Sequence, residues 1–402
     1  MVNRPTIMKR IEPFIDTDLI KVLTGMRRCG KSVMLQLIGQ ELLRRGVHSE
    51  QILSLNFEDM DNRKLCTAEA LHAWVAGQME NTAGRVYLFF DEIQEVSDWQ
   101  ICLNSLRVKY DCDIYITGSN AHLLSGELAT YLGGRYAEFV ICPFSFAEFT
   151  DLYKEAKGEA DPAQVFRAYM AFGGMPFLLN LGLASEPSRQ YLRDVYNSVV
   201  LKDIVRRHSI RDVDLLERII LYVLANVGHP FSATSISKYF KNEGRCAQPE
   251  TILNYLNACA QAYLFYPVRR QDLIGKKILS VNEKYYVADH GLREAVYGKN
   301  TRDIELVLEN IVFMELFRRG FHVTVGKLGA AEVDFVAERN GERVYIQVCY
   351  LLATQDTLDR EFGLLAKIKD NYPKLVLSLD EFDMGREGIQ HRNIRTFLKE
   401  EV

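Results

Sequence analysis

Eight consecutive residues, Gly25-Met26-Arg27-Arg28-Cys29-Gly30-Lys31-Ser32, match G-x-x-x-x-G-K-[S/T] at every fixed position. The glycines let the backbone curl so that successive N–H groups converge on an anion. The helix that should begin here adds the positive end of its dipole, so the expected phosphate-contacting stretch runs from Gly25 to Val33. Lys31 places an ammonium between the β- and γ-phosphates, and the Ser32 hydroxyl is a ligand for Mg²⁺. This is the chemistry of nucleoside triphosphate binding.

A second constellation follows the apolar run Val86–Phe90. Asp91 can hold the hydration shell of the metal ion. Glu92, one residue on, can orient and deprotonate an attacking water. Binding alone has no need of a second carboxylate, so the pair points to hydrolysis. Farther along, Ile114–Thr117 runs into Gly118-Ser119-Asn120, where either Ser119 or Asn120 is placed to sense the γ-phosphate. Arg135, in Leu-Gly-Gly-Arg, is a candidate arginine finger; acting in trans, it would require a homo-oligomer. Arg27 and Arg28 are candidates for further phosphate contact within the loop, although such variable loop positions more often face solvent or a neighbouring domain.

These residues need a scaffold, and the pattern supplies one. From Lys21 to about Glu148, the apolar runs KVLT, QILSLNF, VYLFF, IYIT and EFVI alternate with amphipathic stretches such as Val33–Arg45 and Ala68–Glu80. Continuous apolar strands separated by helices indicate a parallel sheet covered on both faces. From Asp151 to Tyr297 helical spacing dominates: Ala163–Ala171, Ser188–Arg206, Asp212–Asn226, Ser232–Lys241 and Pro249–Tyr263. A hairpin, Leu264–Arg270 with Tyr285–Ala288, then completes the outline of a winged helix-turn-helix. Past Arg302, a helix over Glu305–Arg319 leads into a hairpin turned at Asn340-Gly341, the strongest short hairpin signal. A helix over Leu358–Asn371 and a strand over Lys374–Leu379 follow. The expected domains are 1–150, 151–300 and 301–402, all α/β except the helical middle.

Bulk composition limits the partners. The formal net charge is −4, so nucleic acid would have to meet a local basic patch. The eight cysteines form no C-x-x-C pair and no zinc spacing, which reads as reduced thiols in a cytoplasmic protein. The N-terminus lacks the apolar core of a signal peptide. No apolar run approaches the ~18–20 residues that span a bilayer, so no membrane partner is expected.

The runs GMRRCGKS, DEIQ, ITGSN and LGGRYAEFVICPFSFAEF closely resemble the prokaryotic AAA+-like P-loop ATPases that carry a C-terminal domain of unknown function, the DUF4143 type. The likeness covers nearly the whole chain. It implies ATP as the nucleotide, an ASCE-type P-loop core, a winged helix, and a terminal domain similar to the restriction-endonuclease-like PD-(D/E)xK nucleases, with kinship to archaeal ATPases. Asp334, the helical Glu309 and Gln347 stand at the nuclease-like acid positions. Gln347 replaces an acid there, and Cys349 replaces the lysine, which leaves Lys367 as a distant substitute and nuclease chemistry as the weaker reading. On the wing, Arg269, Arg270, Lys276 and Lys277 form a basic cluster suited to DNA phosphates. The exposed face of Pro249–Tyr263 carries no Lys or Arg. Three functions are therefore in view: ATP hydrolysis driving a conformational change on DNA, a nucleotide-gated protein-binding module, and an ATP-gated metal-dependent nuclease.

Overall fold

The computed structural model describes residues 2–80, 82–119, 121, 132–275, 277–298 and 303–400, with backbone alone at 277 and 279–281. The chain forms two compact units. Unit 1 comprises Met1–Cys142 with Gln261–Tyr263, and unit 2 comprises Pro143–Ala260 with Leu264–Val402.

Unit 1 is built on a parallel sheet. Its strands are β1 (Ile20–Thr24), β2 (Ile52–Asn56), β3 (Val86–Asp91), β4 (Cys112–Thr117) and β5 (Tyr136–Val140), in the order β2-β3-β4-β1-β5. Every neighbouring pair is parallel. The apolar runs that mark these strands carry no polar alternation because both faces are covered. On one face Val22, Leu88, Phe90, Ile114 and Ile116 pack against α3 (Ala68–Met79) and α4 (Trp99–Lys109). On the other, Leu23, Tyr87, Phe89 and Tyr115 meet α1 (Pro5–Ile11) and α2 (Lys31–Arg44). Helix α2 starts one turn after β1 ends, which is the strand–loop–helix context a phosphate loop requires.

At the edge of the sheet away from that loop, Lys21 on β1 and Asp113 on β4 form a fully buried ion pair. Asp113 also accepts from the Tyr115 hydroxyl and from the Asp16 amide, at 2.9 Å each. This network lies beneath the expected site, not in it.

Unit 2 opens with α5 (Phe146–Lys157), α6 (Pro162–Phe172) and α7 (Ser185–Ser198). The single helix expected over Ser188–Arg206 continues instead as a π-helix, Val199–Arg206. Then come α8 (Val213–Ala225), α9 (Ala233–Asn242), α10 (Pro249–Gln261) and the hairpin β6 (Phe265–Asp272) and β7 (Lys277–Val287). Phe231, ahead of α9, bridges to Glu283 on β7. On α10, Ile252 and Leu256 are buried as the spacing requires. Leu253 is exposed, and Ala258 and Cys259 take inward positions.

Beyond α11 (His290–Val296) and α12 (Ile304–Arg318), strands β8 (His322–Leu328), β9 (Ala331–Arg339) and β10 (Glu342–Val348) form a meander. Its second turn places Asn340 and Gly341 at φ 54° and 83°, the left-handed pair that an Asn-Gly hairpin turn uses. Helix α13 (Gln355–Ala366), β11 (Lys374–Ser378), β12 (Gln390–Asn393) and α14 (Ile394–Phe397) follow. One sheet runs β12-β11-β10-β9-β8-β6-β7. The division drawn at residue 300 thus falls inside unit 2, because β6 pairs in parallel with β8 from Arg270 to Asp272. Among the described residues no helix is long and apolar enough to cross a membrane, and no disulfide joins any of the eight cysteines.

Candidate active site

The carboxyl ends of β1, β3 and β4 come together because the strands are parallel and in register. Asn56 faces Asp91, and Leu23 faces Thr117. The loop Gly25–Gly30 leaves β1 at this edge. Gly25 has φ 138°, and a Cβ there would meet the Ile141 carbonyl oxygen at 2.2 Å, so no other residue fits. Gly30 at φ 102° begins α2. Arg28 also takes a left-handed φ of 67°, a strain that accumulates at ligand-binding loops. Its side chain is exposed, while Arg27 reaches Glu58 at 3.3 Å. Cys29 is buried, and burial holds its thiol above the ordinary value.

Lys31 is buried and donates to the loop carbonyls of Gly25 and Met26 at 3.1 and 3.2 Å. Its ammonium lies 3.8 Å from a Glu92 carboxylate oxygen. Glu92 sits at φ 54°, ψ 50°, a costly conformation for a residue with a Cβ. Its amide donates to the Thr117 hydroxyl at 2.9 Å, and Gln94 donates to its other oxygen. Asp91 accepts from the same Thr117 hydroxyl at 2.5 Å and from the Ser32 hydroxyl. Burial still pushes the Asp91 carboxyl above its usual range. Asn56 adds a weaker contact to Asp91 at 3.4 Å.

The expected residues Gly25, Lys31, Ser32, Asp91 and Glu92 therefore converge. A Mg²⁺ ion fits the donor set: a hydroxyl and a carboxylate already meet beside the phosphate loop. Val33, exposed at the start of α2, adds only its backbone. Two residues escaped the sequence reading. Thr117, whose hydroxyl links Asp91 to Glu92, was hidden at the end of an apolar strand. Arg4, on the segment before α1, donates to the Cys29 and Cys142 carbonyls at 3.4 and 2.9 Å and so braces the loop from behind.

Ser119 is buried just past β4, and Asn120 lies outside the described residues. Arg135 is not brought to the site in its own chain. It precedes β5, its carbonyl accepts from the Ile20 amide at 3.0 Å, and its guanidinium bonds Asn104 at 2.9 Å. Because β5 and β1 are parallel, that is the opposite sheet edge, about five residues or roughly 16 Å from the phosphate loop.

Residues 17–150 match the family model of the AAA domain, and residues 163–303 match that of a domain of unknown function, DUF8612. The second match replaces the expected DUF4143 type. An uncharacterized protein of Haemophilus influenzae is 38% identical over 379 residues, covering 94% of this chain and 93% of that protein. The uncharacterized protein MJ1544 of Methanocaldococcus jannaschii is 30% identical over 381 residues, covering 90% and 82%. The chain belongs to this family of AAA+-like P-loop ATPases. The Walker-type ATPase PABY2304 of Pyrococcus abyssi shares the fold, with a TM-score of 0.51 at 15% identity over 73% of this chain and 95% of that one.

In this AAA+-like ATPase the remaining candidate residues lie in unit 2. On the hairpin, Arg269 is 68% exposed, whereas Arg270 is 16% exposed and lies 3.4 Å from Glu332. Arg270 is thus committed to a carboxylate and not offered to phosphate. Lys276 lies outside the described residues, as does the side chain of Lys277. Glu309 on α12, Asp334 on β9 and Gln347 on β10 do gather in one polar centre. The Gln347 side-chain Oε1 accepts from the Asp334 backbone amide at 2.7 Å, and the Val348 backbone amide donates to the Asp334 carboxylate at 2.8 Å. Lys284, from β7, enters the same centre and bonds Glu309 at 2.9 Å. Lys367 is exposed at the end of α13, and Cys349 is buried with its thiol toward the Leu377 carbonyl, so neither serves as the missing lysine.

Proposed function

We propose that the protein is a Mg²⁺-dependent ATP hydrolase whose turnover drives a change of conformation. The observation that carries this reading is Glu92. Its backbone is strained so that the carboxylate lies beside Lys31, one residue from the Asp91–Ser32 pair. Pure nucleotide binding does not require that strain. A Mg²⁺ ion would be held by Ser32 and Asp91 and would supply charge neutralisation to the phosphates. The curled N–H groups from Gly25 to Val33 bind the phosphates. Lys31 exchanges its loop carbonyls for phosphate oxygens. Glu92 accepts the proton of the attacking water, and the Thr117 hydroxyl ties the Asp91 carboxylate to the Glu92 backbone amide.

The experiment is steady-state hydrolysis by Glu92→Gln beside equilibrium binding of a fluorescent ATP analogue. Turnover should fall at least 100-fold, the usual scale of a lost general base, with affinity nearly unchanged. Wild-type turnover in the variant removes the assignment. Negligible turnover in the wild type itself favours the nucleotide-gated binding module. DNA coupling through the hairpin rests, among the described side chains of the basic cluster, on Arg269. Stimulation of hydrolysis by DNA that fades with added salt supports it.

A further inference from the structure

The polar centre of unit 2 gathers the residues to which the nuclease resemblance would assign a divalent ion, and the residues present do not fit one. Such an ion needs several oxygens free to surround it at about 2.0–2.1 Å. Here at least one oxygen of each acid is already engaged. One Glu309 oxygen accepts from Lys284 at 2.9 Å and from the Tyr286 hydroxyl at 2.5 Å. Glu332 accepts from the same ammonium at 2.7 Å. Asp334 accepts from a backbone amide. The Gln347 amide group donates to Glu361 at 2.8 Å, where a carboxylate at 347 would meet a carboxylate. Among the described residues no group of three or more His, Cys, Asp or Glu is arranged to hold a metal. Lys284 itself is 2% exposed.

We propose that the Lys284 ammonium is the resident cation of this centre, standing where the divalent ion would, so that unit 2 supports or recognises and does not cut. The lysine missing from position 349 has a counterpart after all, but on the hairpin, and it neutralises Glu309 and Glu332 instead of assisting a metal. Burial alone would depress its proton affinity, yet the carboxylates around it hold that affinity above the ordinary value. A buried ion pair of this kind strands a charge when one partner goes. The inference concerns unit 2 alone and stands apart from the hydrolase reading of unit 1.

Thermal melts of Lys284→Met, Glu309→Gln and the double variant test it. Lys284→Met should melt roughly 5 °C or more below wild type, and the double variant should lose clearly less than the two single losses added. Simple additivity overturns the proposal. Should Lys284→Met fail to fold, the wild type still decides. Incubated with supercoiled plasmid and MnCl₂, with and without ATP, it should leave the plasmid intact. Nicking that disappears in Asp334→Asn overturns the proposal.

Discussion

At the scale of single residues, the site depends on a hydroxyl that joins two acids. Thr117 receives the Glu92 amide and donates to Asp91. Thr117→Val keeps the shape and removes both bonds, leaving two buried groups without that partner at about 1–3 kcal/mol. Hydrolysis should slow roughly tenfold, the equivalent of about 1.4 kcal/mol in the barrier, and the urea midpoint should fall. An unchanged rate would mean that Thr117 serves the sheet alone. Motif spacing made Gly25–Ser32, Asp91 and Glu92 legible, because phosphate binding fixes both their identity and their intervals. Thr117 was not legible, since its role comes from the neighbouring strand. Nor was the position of Arg135, since a residue before a parallel strand lies at the far edge from the loop.

At the scale of elements, strands in the middle of unit 1 were readable because both faces are buried and their sequence is continuously apolar. Strand β12, Gln-His-Arg-Asn, carries no such signal; pairing with β11 alone makes it a strand. Helix α11 is set by the turn before it. His290 there is buried, with its Nε2 2.7 Å from the Tyr169 carbonyl. Burial lowers the proton affinity of the imidazole, against the pull of Asp289 and the Tyr169 carbonyl, with Arg318 and Arg293 adding to the lowering. The unfolded chain binds that proton near pH ~6.5. The ring's contribution is therefore full above that pH and drains as pH falls below it. Asp289, raised by burial, acts in the opposite sense from ~3.9 upward. The measurement is thus a difference: between pH 7.5 and 5, the wild type should lose more melting temperature than His290→Gln.

At the scale of the whole molecule, unit 2 closes its sheet across a boundary that the change in helix and strand pattern suggested. A chain ending at residue 300 would leave β6 without β8, and Val287 without the Asn310 side chain that bonds it at 2.8 Å. Such an uncovered edge invites intermolecular pairing. The truncated chain should bind the dye ANS and aggregate, while the full chain should melt cooperatively. A folded, soluble 1–300 fragment would show that the sheet does not need its tail.

The pairing of β6 with β8 also bears on descent. A hairpin that belongs by pattern to the helical region and the helix α12 that belongs to the tail share one buried pair, Lys284 and Glu309, so neither segment is a free module. Recombination that brought in a tail without an acid at position 309 would strand the Lys284 charge. The two halves of unit 2 are therefore bound to be inherited together, as one unit of selection, even though a reader of the chain would cut between them.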